Sequence, residues 1–175
     1  VTTYMATFGV IISCIIGFTV GTLCFQNKNS ASFMLGVCDI FQTFPSFVYL
    51  IPVMMLFGIT DTSVLIAVIV YATIPATRYT IEGLRSVPTA LHDAATMSGV
   101  TKFQRLFKIE FPLAFPHMML GLNQTIVFAL FMVIIGAFIG TEDLGQYILK
   151  ALSDKNGAGI GLTLGLCVAF IGLIF

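Results

Sequence analysis

The segment HDAATMSGVTKFQRLFKIEFP, His92 to Pro112, is polar in a chain that is otherwise strongly apolar. Of the 175 residues, 58% are hydrophobic and 9% are charged, whereas about 25% charged residues are usual in a soluble domain. Lys+Arg and Asp+Glu number eight each, so the net charge gives no reason to expect a nucleic-acid partner. A buried soluble helical core would need charged outer faces, which the apolar runs lack. The composition therefore predicts an all-α polytopic membrane protein.

The charged residues leave apolar runs between them that are long enough for membrane helices. A helix needs about 20 apolar residues to cross a hydrocarbon core of ~30 Å. Four runs reach this length, and the run at 62–77 reaches it if Arg78 extends its side chain to the interface. We predict one domain over 1–175 with five spans, at about 4–25, 36–58, 62–80, 113–139 and 157–175. The chain does not begin with Met and stops inside an apolar run, so we expect a fragment that lacks residues at both ends.

Five spans place the connections alternately on the two sides of the membrane. The connections 59–61 and 140–156 contain only Lys150 and Lys155. The connections 26–35 and 81–112, with the edge of the third span, contain the other basic residues, which are Lys28, Arg78, Arg85, Lys102, Arg105 and Lys108. Short loops rich in Lys and Arg stay in the cytoplasm. The polar segment is therefore predicted to lie in a cytoplasmic loop at 81–112.

Local signals predict a helix, a tight turn and a second helix within this loop. Pro88 suits the first turn of a helix that runs to Ser98. Gly99 follows, where a left-handed residue commonly ends a helix. Thr101 and Gln104 have the spacing of a capping box, which opens the second helix.

The first of these helices carries the small pair Ala94-Ala95 beside Asp93. Small side chains let a partner approach closely, so the helix could dock into the groove of another protein. The alternative is a helix that lies on the membrane surface, where basic residues bind anionic headgroups. Pro112 and Pro116 mark the start of the next span, where proline is tolerated.

The polar segment resembles the EAA motif, E-A-A-x3-G-x9-I-x-L-P, of the permease subunits of binding-protein-dependent ABC importers. Asp93 stands in place of Glu and Phe111 in place of Leu, and the spacing matches throughout. The resemblance implies the five-helix core of a type I ABC importer permease, with a cytoplasmic coupling helix that contacts an ABC ATPase subunit. It also implies pairing with a second permease copy, most simply as a homodimer. The residues assigned to ATPase coupling are Asp93, Ala94, Ala95, Gly99, Ile109 and Pro112.

Two further stretches extend the resemblance to permeases for glycine betaine and proline betaine. They are QTFPSFVYLIPVMMLFG, Gln42–Gly58, and GLNQT, Gly121–Thr125, which is followed by LGQ at 144–146. The chain departs from these permeases at Glu142-Asp143, where relatives usually have glycines.

The resemblance implies ATP-driven import of a small compatible solute, most simply glycine betaine or proline betaine. It places the chain in the inner (plasma) membrane of a prokaryote and implies a periplasmic or lipid-anchored substrate-binding protein. Choline, carnitine or another small solute is the alternative substrate class. An ATP-independent carrier or channel is the alternative mechanism, and a purely structural scaffold is a third class. A carrier predicts ion-coupling charges inside the membrane or inverted repeats, and the sequence shows neither.

Catalytic motifs are absent from the sequence. It contains no G-x4-G-K-[ST] phosphate loop, and H-E-x-x-H, C-x-x-C and G-x-S-x-G are also missing. We therefore expect a non-catalytic subunit without a metal or cofactor of its own, with ATP and Mg²⁺ on the partner ATPase. His92 and His117 are interpreted as surface or interfacial polar residues.

Polar and aromatic side chains within the second and fourth spans are candidates for the translocation path. Buried polar groups in a span need partners or a wet cavity, so they can line a path or hold helices together. Aromatic faces attract quaternary ammonium groups, but they also simply pack. Pro45 and Pro52 can kink the second span. The path candidates are Gln42, Thr43, Phe44, Pro45, Ser46, Phe47, Asn123, Gln124 and Thr125, with Phe41 and Tyr49 added for the aromatic hypothesis.

The outer connection 140–156 contains a second amphipathic pattern. Leu144, Tyr147, Ile148 and Leu152 share one helical face, which predicts a helix at the outer interface. This helix could contact a binding protein, form part of an outer gate or simply anchor the chain.

Overall fold

The computed structural model describes residues 2–139, 144–153 and 158–174, and every regular element within these ranges is a helix. Glu142, Asp143, the predicted start of the fifth span at Gly157 and its predicted end at Phe175 lie outside the described residues. The helices are α1 (Thr2–Phe25), α2 (Lys28–Thr43), α3 (Phe47–Phe57), α4 (Asp61–Arg85), α5 (Thr89–Met97), α6 (Lys102–Arg105), a π-helical turn (Leu106–Glu110), α7 (Phe111–Ile139), α8 (Leu144–Ser153) and α9 (Ala158–Ile174).

Three helical stretches in the described part of the chain are long and apolar enough to cross a membrane. They are α1, α4 and the continuous helix from Lys102 to Gly136. The pair α2 and α3 passes the same test together and makes a fourth if it counts as one span. Helix α9 has 17 residues, a length of about 25 Å at 1.5 Å per residue. The fold is therefore the predicted all-α membrane architecture, and a fifth complete span stays a prediction.

The predicted second span, 36–58, is a bent pair of helices rather than one helix. Helix α2 already begins at Lys28, and α2 and α3 meet at an angle of 85°. The break falls at Phe44, whose backbone is extended with φ −74° and ψ 137°. A residue that precedes proline is driven out of the α region, and Pro45 supplies no N–H. Pro52 lies inside α3 without ending it, so only one of the two prolines breaks the span.

Helices α1 and α4 are in near contact through their backbones. Glycines on α1 face α4, and a Cβ added at Gly17 would lie 2.4 Å from the Ala76 Cβ and 2.9 Å from the Thr77 backbone nitrogen. Ser13 is fully buried, and its hydroxyl donates to the Ile69 carbonyl oxygen at 3.1 Å. Lipid gives no hydrophobic driving force between helices, so close packing of small residues and interhelical hydrogen bonds hold them together.

Helix α7 packs against the other side of α4 in the same way. A Cβ added at Gly121 would lie 2.6 Å from the Tyr79 Cβ, and one added at Gly136 would lie 2.6 Å from a Val64 methyl carbon. Helix α4 is consequently the centre of the bundle. The buried core around it includes Leu50 from α3 and residues of α1 and α7.

The connections predicted to share the cytoplasmic side do lie at one end of the bundle. One cleft is lined by residues from Phe25 to Lys28 and from Leu84 to Glu110. The orientation of this end toward the cytoplasm stays a prediction.

The second loop helix continues into the next span without interruption, so the predicted boundary at 113 is wrong as a helix boundary. The π-helical turn stands immediately before Pro112. In a regular α-helix the Pro112 ring would clash with the carbonyl of Lys108, and the wider π-helical turn relieves that clash.

The predicted outer helix is present as α8, Leu144–Ser153. Tyr147 is exposed there, and the Lys150 ammonium lies 5.7 Å from the centroid of its ring. The side chains of Leu144 and Leu152 lie outside those described, so the apolar face of this helix stays a prediction.

We expect Gly17→Ala to lower the free energy of unfolding by about 1–3 kcal/mol, the usual cost of overpacking, because its new methyl group meets backbone on α4. SDS titration of the purified protein measures this. Gly36→Ala is the matched control, since its added Cβ has nothing within 4 Å. Equal stability of the two variants would contradict the near-backbone packing of α1 on α4.

Candidate functional site

The turn after α5 has the geometry that the sequence predicts. Gly99 has φ 70°, in the left-handed region. Its N–H donates to the Thr96 carbonyl at 3.1 Å, and the Val100 N–H donates to the Ala95 carbonyl at 3.2 Å. This pair of hydrogen bonds is a Schellman motif, which satisfies carbonyl groups at the end of the helix. The predicted left-handed cap is confirmed.

The capping box that opens the second helix is also confirmed. The Gln104 N–H donates to the Thr101 hydroxyl oxygen at 3.3 Å, and the Thr101 N–H donates to the Gln104 side-chain oxygen at 3.1 Å. The helix, turn and second helix from Thr89 to Glu110 are called the elbow below.

The coupling candidates divide between the outside and the inside of the elbow. Asp93, Ala94 and Gly99 are exposed, as is Pro112. Ala95 is 4% exposed, so its small size serves packing within this chain, and only Ala94 of the pair offers a close approach to a partner. Ile109 is partly buried.

A buried carboxylate within the elbow was missed by the sequence reasoning. Glu110 is 1% exposed. Its Oε1 accepts from Arg105 Nε at 2.8 Å and lies 3.0 Å from His92 Nδ1. A buried charge is strongly destabilising unless it is paired, and Glu110 has a cation on its own helix and a donor on α5. His92, interpreted as a surface residue, therefore connects α5 to the helix that leads into α7.

A cleft of about 850 Å³ lies between part of the elbow and the ends of α1 and α4, while Leu106 of the elbow packs against the buried cluster that contains Leu84 of α4. Lys28 and Arg85 line it on the bundle side, and Asp93, Lys102 and Arg105 line it on the elbow side. Phe103, which also lines the cleft, and Phe107 lie on the elbow surface with ring centroids 4.6 Å apart, and 71% and 52% of their areas are exposed. The elbow thus presents an apolar aromatic surface as well as charged groups.

Within the membrane part, the structure brings two of the predicted path residues together. Gln42 of α2 and Gln124 of α7 line one cavity of about 160 Å³, together with Arg78 of α4. Arg78 Nη1 donates to the Gln42 side-chain oxygen at 2.7 Å. The two amides are 82 positions apart in sequence. Both line the cavity between α2, α4 and α7.

The remaining polar candidates do not line this cavity. The Thr43 and Thr125 hydroxyls each donate at 2.7 Å to a carbonyl of their own helix. Asn123 faces a different cavity of about 400 Å³ that includes Leu122 and Gly172. Ser46 is buried at the break between α2 and α3, beside the exposed Pro45.

The aromatic candidates form part of a continuous series of ring contacts. Phe41 contacts Phe44 and Tyr49, with centroids 6.0 and 6.2 Å apart. Tyr49 contacts Tyr71 at 5.1 Å, and Tyr71 stacks on Phe128 at 4.7 Å. Among the described ring pairs, Phe47 has no place in this series, and it is 45% exposed. The series ends at Phe128, which also lines the Gln42–Gln124 cavity.

The sequence matches the family described as the binding-protein-dependent transport system inner membrane component over residues 9–175. This chain belongs to that family. As a family member with several long apolar helices, it is a multi-pass inner-membrane component. The resemblance drawn from Asp93–Pro112 is confirmed at this level.

Curated relatives of this permease are considerably longer than the chain. It is 91% identical over its full length to the trimethylamine N-oxide transport system permease protein TmoV of Pelagibacter ubique, of which it spans 24%. It is 46% identical to the protein of the same name in Ruegeria pomeroyi and spans 26% of it. Over 94% of its length it is 34% identical to the glycine betaine transport system permease protein OpuAB of Bacillus subtilis, of which it spans 58%.

Two solved structures share the fold of this permease. Both are inward-facing crystal forms of the MetNI methionine ABC transporter, at 20% identity, with TM-scores of 0.86 and 0.79. The alignments cover 99% of this chain and 87% and 88% of those chains. The likeness shows the type I permease fold.

We expect Glu110→Gln to lower the free energy of unfolding by about 1–3 kcal/mol, because Arg105 and His92 lose a charged partner. Glu110→Ala should cost at least as much. Hydrogen exchange at the backbone amides of α5 provides a local measurement, since α5 loses its connection through His92. Lys108→Gln is the control on the same π-helical turn, where the side chain is exposed. Unchanged exchange in α5 of the Glu110→Ala variant would show that this ion pair does not hold the elbow.

Proposed function

We propose that this permease forms the membrane path of an ATP-driven importer for small trimethylated zwitterions, with trimethylamine N-oxide as the first candidate. The observation that carries the proposal is the elbow. Its motif residues fold into an exposed helix and a defined turn at the end of the bundle where the basic connections meet. An exposed helix with a small residue at its outer face suits insertion into a cleft of a partner.

The energy source in this proposal is a separate cytoplasmic ABC ATPase subunit that binds ATP and Mg²⁺. The chain has no phosphate loop of its own. The exposed Asp93, Ala94 and Gly99, with the aromatic pair Phe103 and Phe107, form the surface offered to that subunit. A second permease copy and a periplasmic or lipid-anchored substrate-binding protein complete the proposed assembly.

The order in which we rank the candidate substrates differs from the expectation drawn from the sequence. The relatives at 91% and 46% identity are named for trimethylamine N-oxide, whereas the glycine betaine relative is at 34%. We therefore place trimethylamine N-oxide before glycine betaine and proline betaine, and these before choline and carnitine. All of these molecules share a quaternary or fully substituted cationic nitrogen, which aromatic faces such as those of Phe41, Phe44 and Tyr49 attract.

Transport by the full complex in proteoliposomes tests this substrate order. We expect uptake of labelled trimethylamine N-oxide to require ATP and the binding protein. Unlabelled trimethylamine N-oxide should compete most strongly, then glycine betaine, then choline. Betaine uptake without trimethylamine N-oxide uptake would reverse the order. Uptake of equal rate without ATP would instead support an ATP-independent carrier.

A glycine substitution tests the coupling role of the elbow. At φ 70°, an L-residue in place of Gly99 costs about 1–2 kcal/mol, so Gly99→Leu should reshape the turn. We expect the number of ATP molecules hydrolysed per substrate imported to rise about tenfold, the factor that corresponds to 1.4 kcal/mol. Parallel assays of ATPase activity and uptake measure it.

Gly58→Leu is the matched control for this experiment. Gly58 has φ 77° and ψ −179°, a backbone region that is open almost only to glycine, so Gly58→Leu strains the backbone at least as much as Gly99→Leu, and at both glycines an added Cβ meets nothing within 4 Å. Gly58 lies between α3 and α4, at the opposite end of α4 from the elbow. If both variants uncouple equally, or neither does, the elbow is not the coupling element.

A further inference from the structure

Arg78 is held on α4 in a fixed orientation by three acceptors. Its Nε donates to Glu82 Oε1 at 3.0 Å, one turn further along the helix. Its Nη1 donates to Asp39 Oδ1 at 2.5 Å and to the Gln42 side-chain oxygen at 2.7 Å, both on α2. Among the described residues, no partner is shown for Nη2. A planar guanidinium held in this way retains donors in a defined direction.

The cavity beside Arg78 has polar and aromatic walls in close proximity. Amides come from Gln42 and Gln124, and rings come from Tyr79 and Phe128. Its volume is about 160 Å³. A liquid water molecule takes about 30 Å³, so the cavity holds roughly five water-sized groups.

The chemistry of these walls matches the two ends of a small zwitterion. Trimethylamine N-oxide consists of one nitrogen, one oxygen and three methyl carbons, and its oxygen carries the negative charge. A guanidinium donates well to such an oxygen, and ring faces attract the methylated cationic nitrogen.

We propose that this cavity is a transit site for trimethylamine N-oxide, with the guanidinium of Arg78 on the oxide oxygen and Phe128 and Tyr79 against the methyl groups. The proposal rests on the proposed function and names a binding site for that substrate class. Asp39 and Glu82 already offset much of the positive charge of Arg78, so its remaining donors attract the oxide oxygen less strongly. Binding is then weak, which suits a site that must release its substrate.

The competing explanation is that Arg78 only connects α2 to α4. Asp39 and Gln42 both belong to α2, so removal of Arg78 could displace α2 without any effect on a ligand. Asp39→Asn separates the two roles, because it removes the ion pair to α2 and leaves the guanidinium in the cavity.

Substrate protection of an introduced thiol tests the site in the assembled transporter in nanodiscs. The native cysteines, Cys14, Cys24, Cys38 and Cys167, are first replaced by Ala. Gln124→Cys is then labelled with a methanethiosulfonate reagent that carries a trimethylammonium group. We expect trimethylamine N-oxide to slow this labelling, by about tenfold at ten times its dissociation constant. Choline, which lacks the anionic oxygen, should protect less.

Asn123→Cys is the matched control, because the neighbouring residue faces the other cavity. Its labelling should not change with substrate. Adding Arg78→Gln to Gln124→Cys should abolish protection, whereas adding Asp39→Asn should preserve it. Equal loss of protection in both variants would show that Arg78 only connects α2 to α4, and this result would overturn the site.

Uptake assays on the same preparations distinguish failure of the site from failure of the proposed function. ATP-dependent uptake of trimethylamine N-oxide without protection at Gln124→Cys overturns the site and leaves the function standing. A thiol at Gln124→Cys that never reacts, with or without ATP, overturns the site as well. Absence of uptake by the cysteine-free complex, which retains Gln124 and Arg78, overturns the function itself.

Discussion

The positions of Arg78 and of the end of α4 beneath the elbow depend on the close packing of α4 between α1 and α7. At Gly17 and at Gly121 the neighbouring helix is so close that no Cβ fits without displacement. In a bilayer this close approach replaces the hydrophobic driving force of a soluble core. With α4 fixed on two sides, the face that carries Arg78 meets α2, and the C-terminal end of α4 at Arg85 meets the cleft beneath the elbow.

Charged groups enter this apolar bundle at two levels, and at each level they connect segments that are distant in sequence. Glu110 brings α5 to the start of α7 through His92, and Arg78 brings α2 to α4 through Asp39. The two arrangements differ in exposure. Glu110 is almost fully buried, whereas the Asp39 and Glu82 side chains are 57% and 36% exposed. Pairing is therefore required for Glu110, while the acceptors around Arg78 remain exchangeable with water or a ligand.

The features that could be predicted from the sequence are those with a local cause. Gly99, the Thr101–Gln104 capping box and the clustering of basic connections at one end all follow from short-range rules. The sequence predicts Gln42 and Gln124 only as members of one path, and that they line the same cavity is a tertiary property, since it depends on which helices face each other.

The features that the sequence reasoning missed depend on the environment of a side chain or on competing local effects. Pro45 was recognised as a kink, but a bend of 85° depends on what α3 packs against. In the sequence, Glu110 is one of several charged residues in a polar segment. Its burial depends on the fold of the elbow and so has no local signal. The small side chain of Ala95 suggests a contact with a partner, whereas its burial follows from the packing of α5. Helix α9 has 17 residues, and its extension into a complete fifth span stays a prediction.

The elbow and the Arg78 cavity are mechanically connected through α7. The helix runs from Lys102 through Glu110 to Gln124 without a break, and the last 14 residues of that path span about 21 Å at 1.5 Å per residue. His92 attaches α5 to this helix, and Leu106 of the elbow packs against the buried cluster that contains Leu84 of α4. The elbow is therefore connected both to α7, by the continuous helix, and to the end of α4, by packing. The closest approach of these two helices near the cavity is at Gly121 and Tyr79, one turn from Gln124. A side chain larger than glycine at this position would meet Tyr79, so the separation of α4 and α7 beside the cavity is set by this contact.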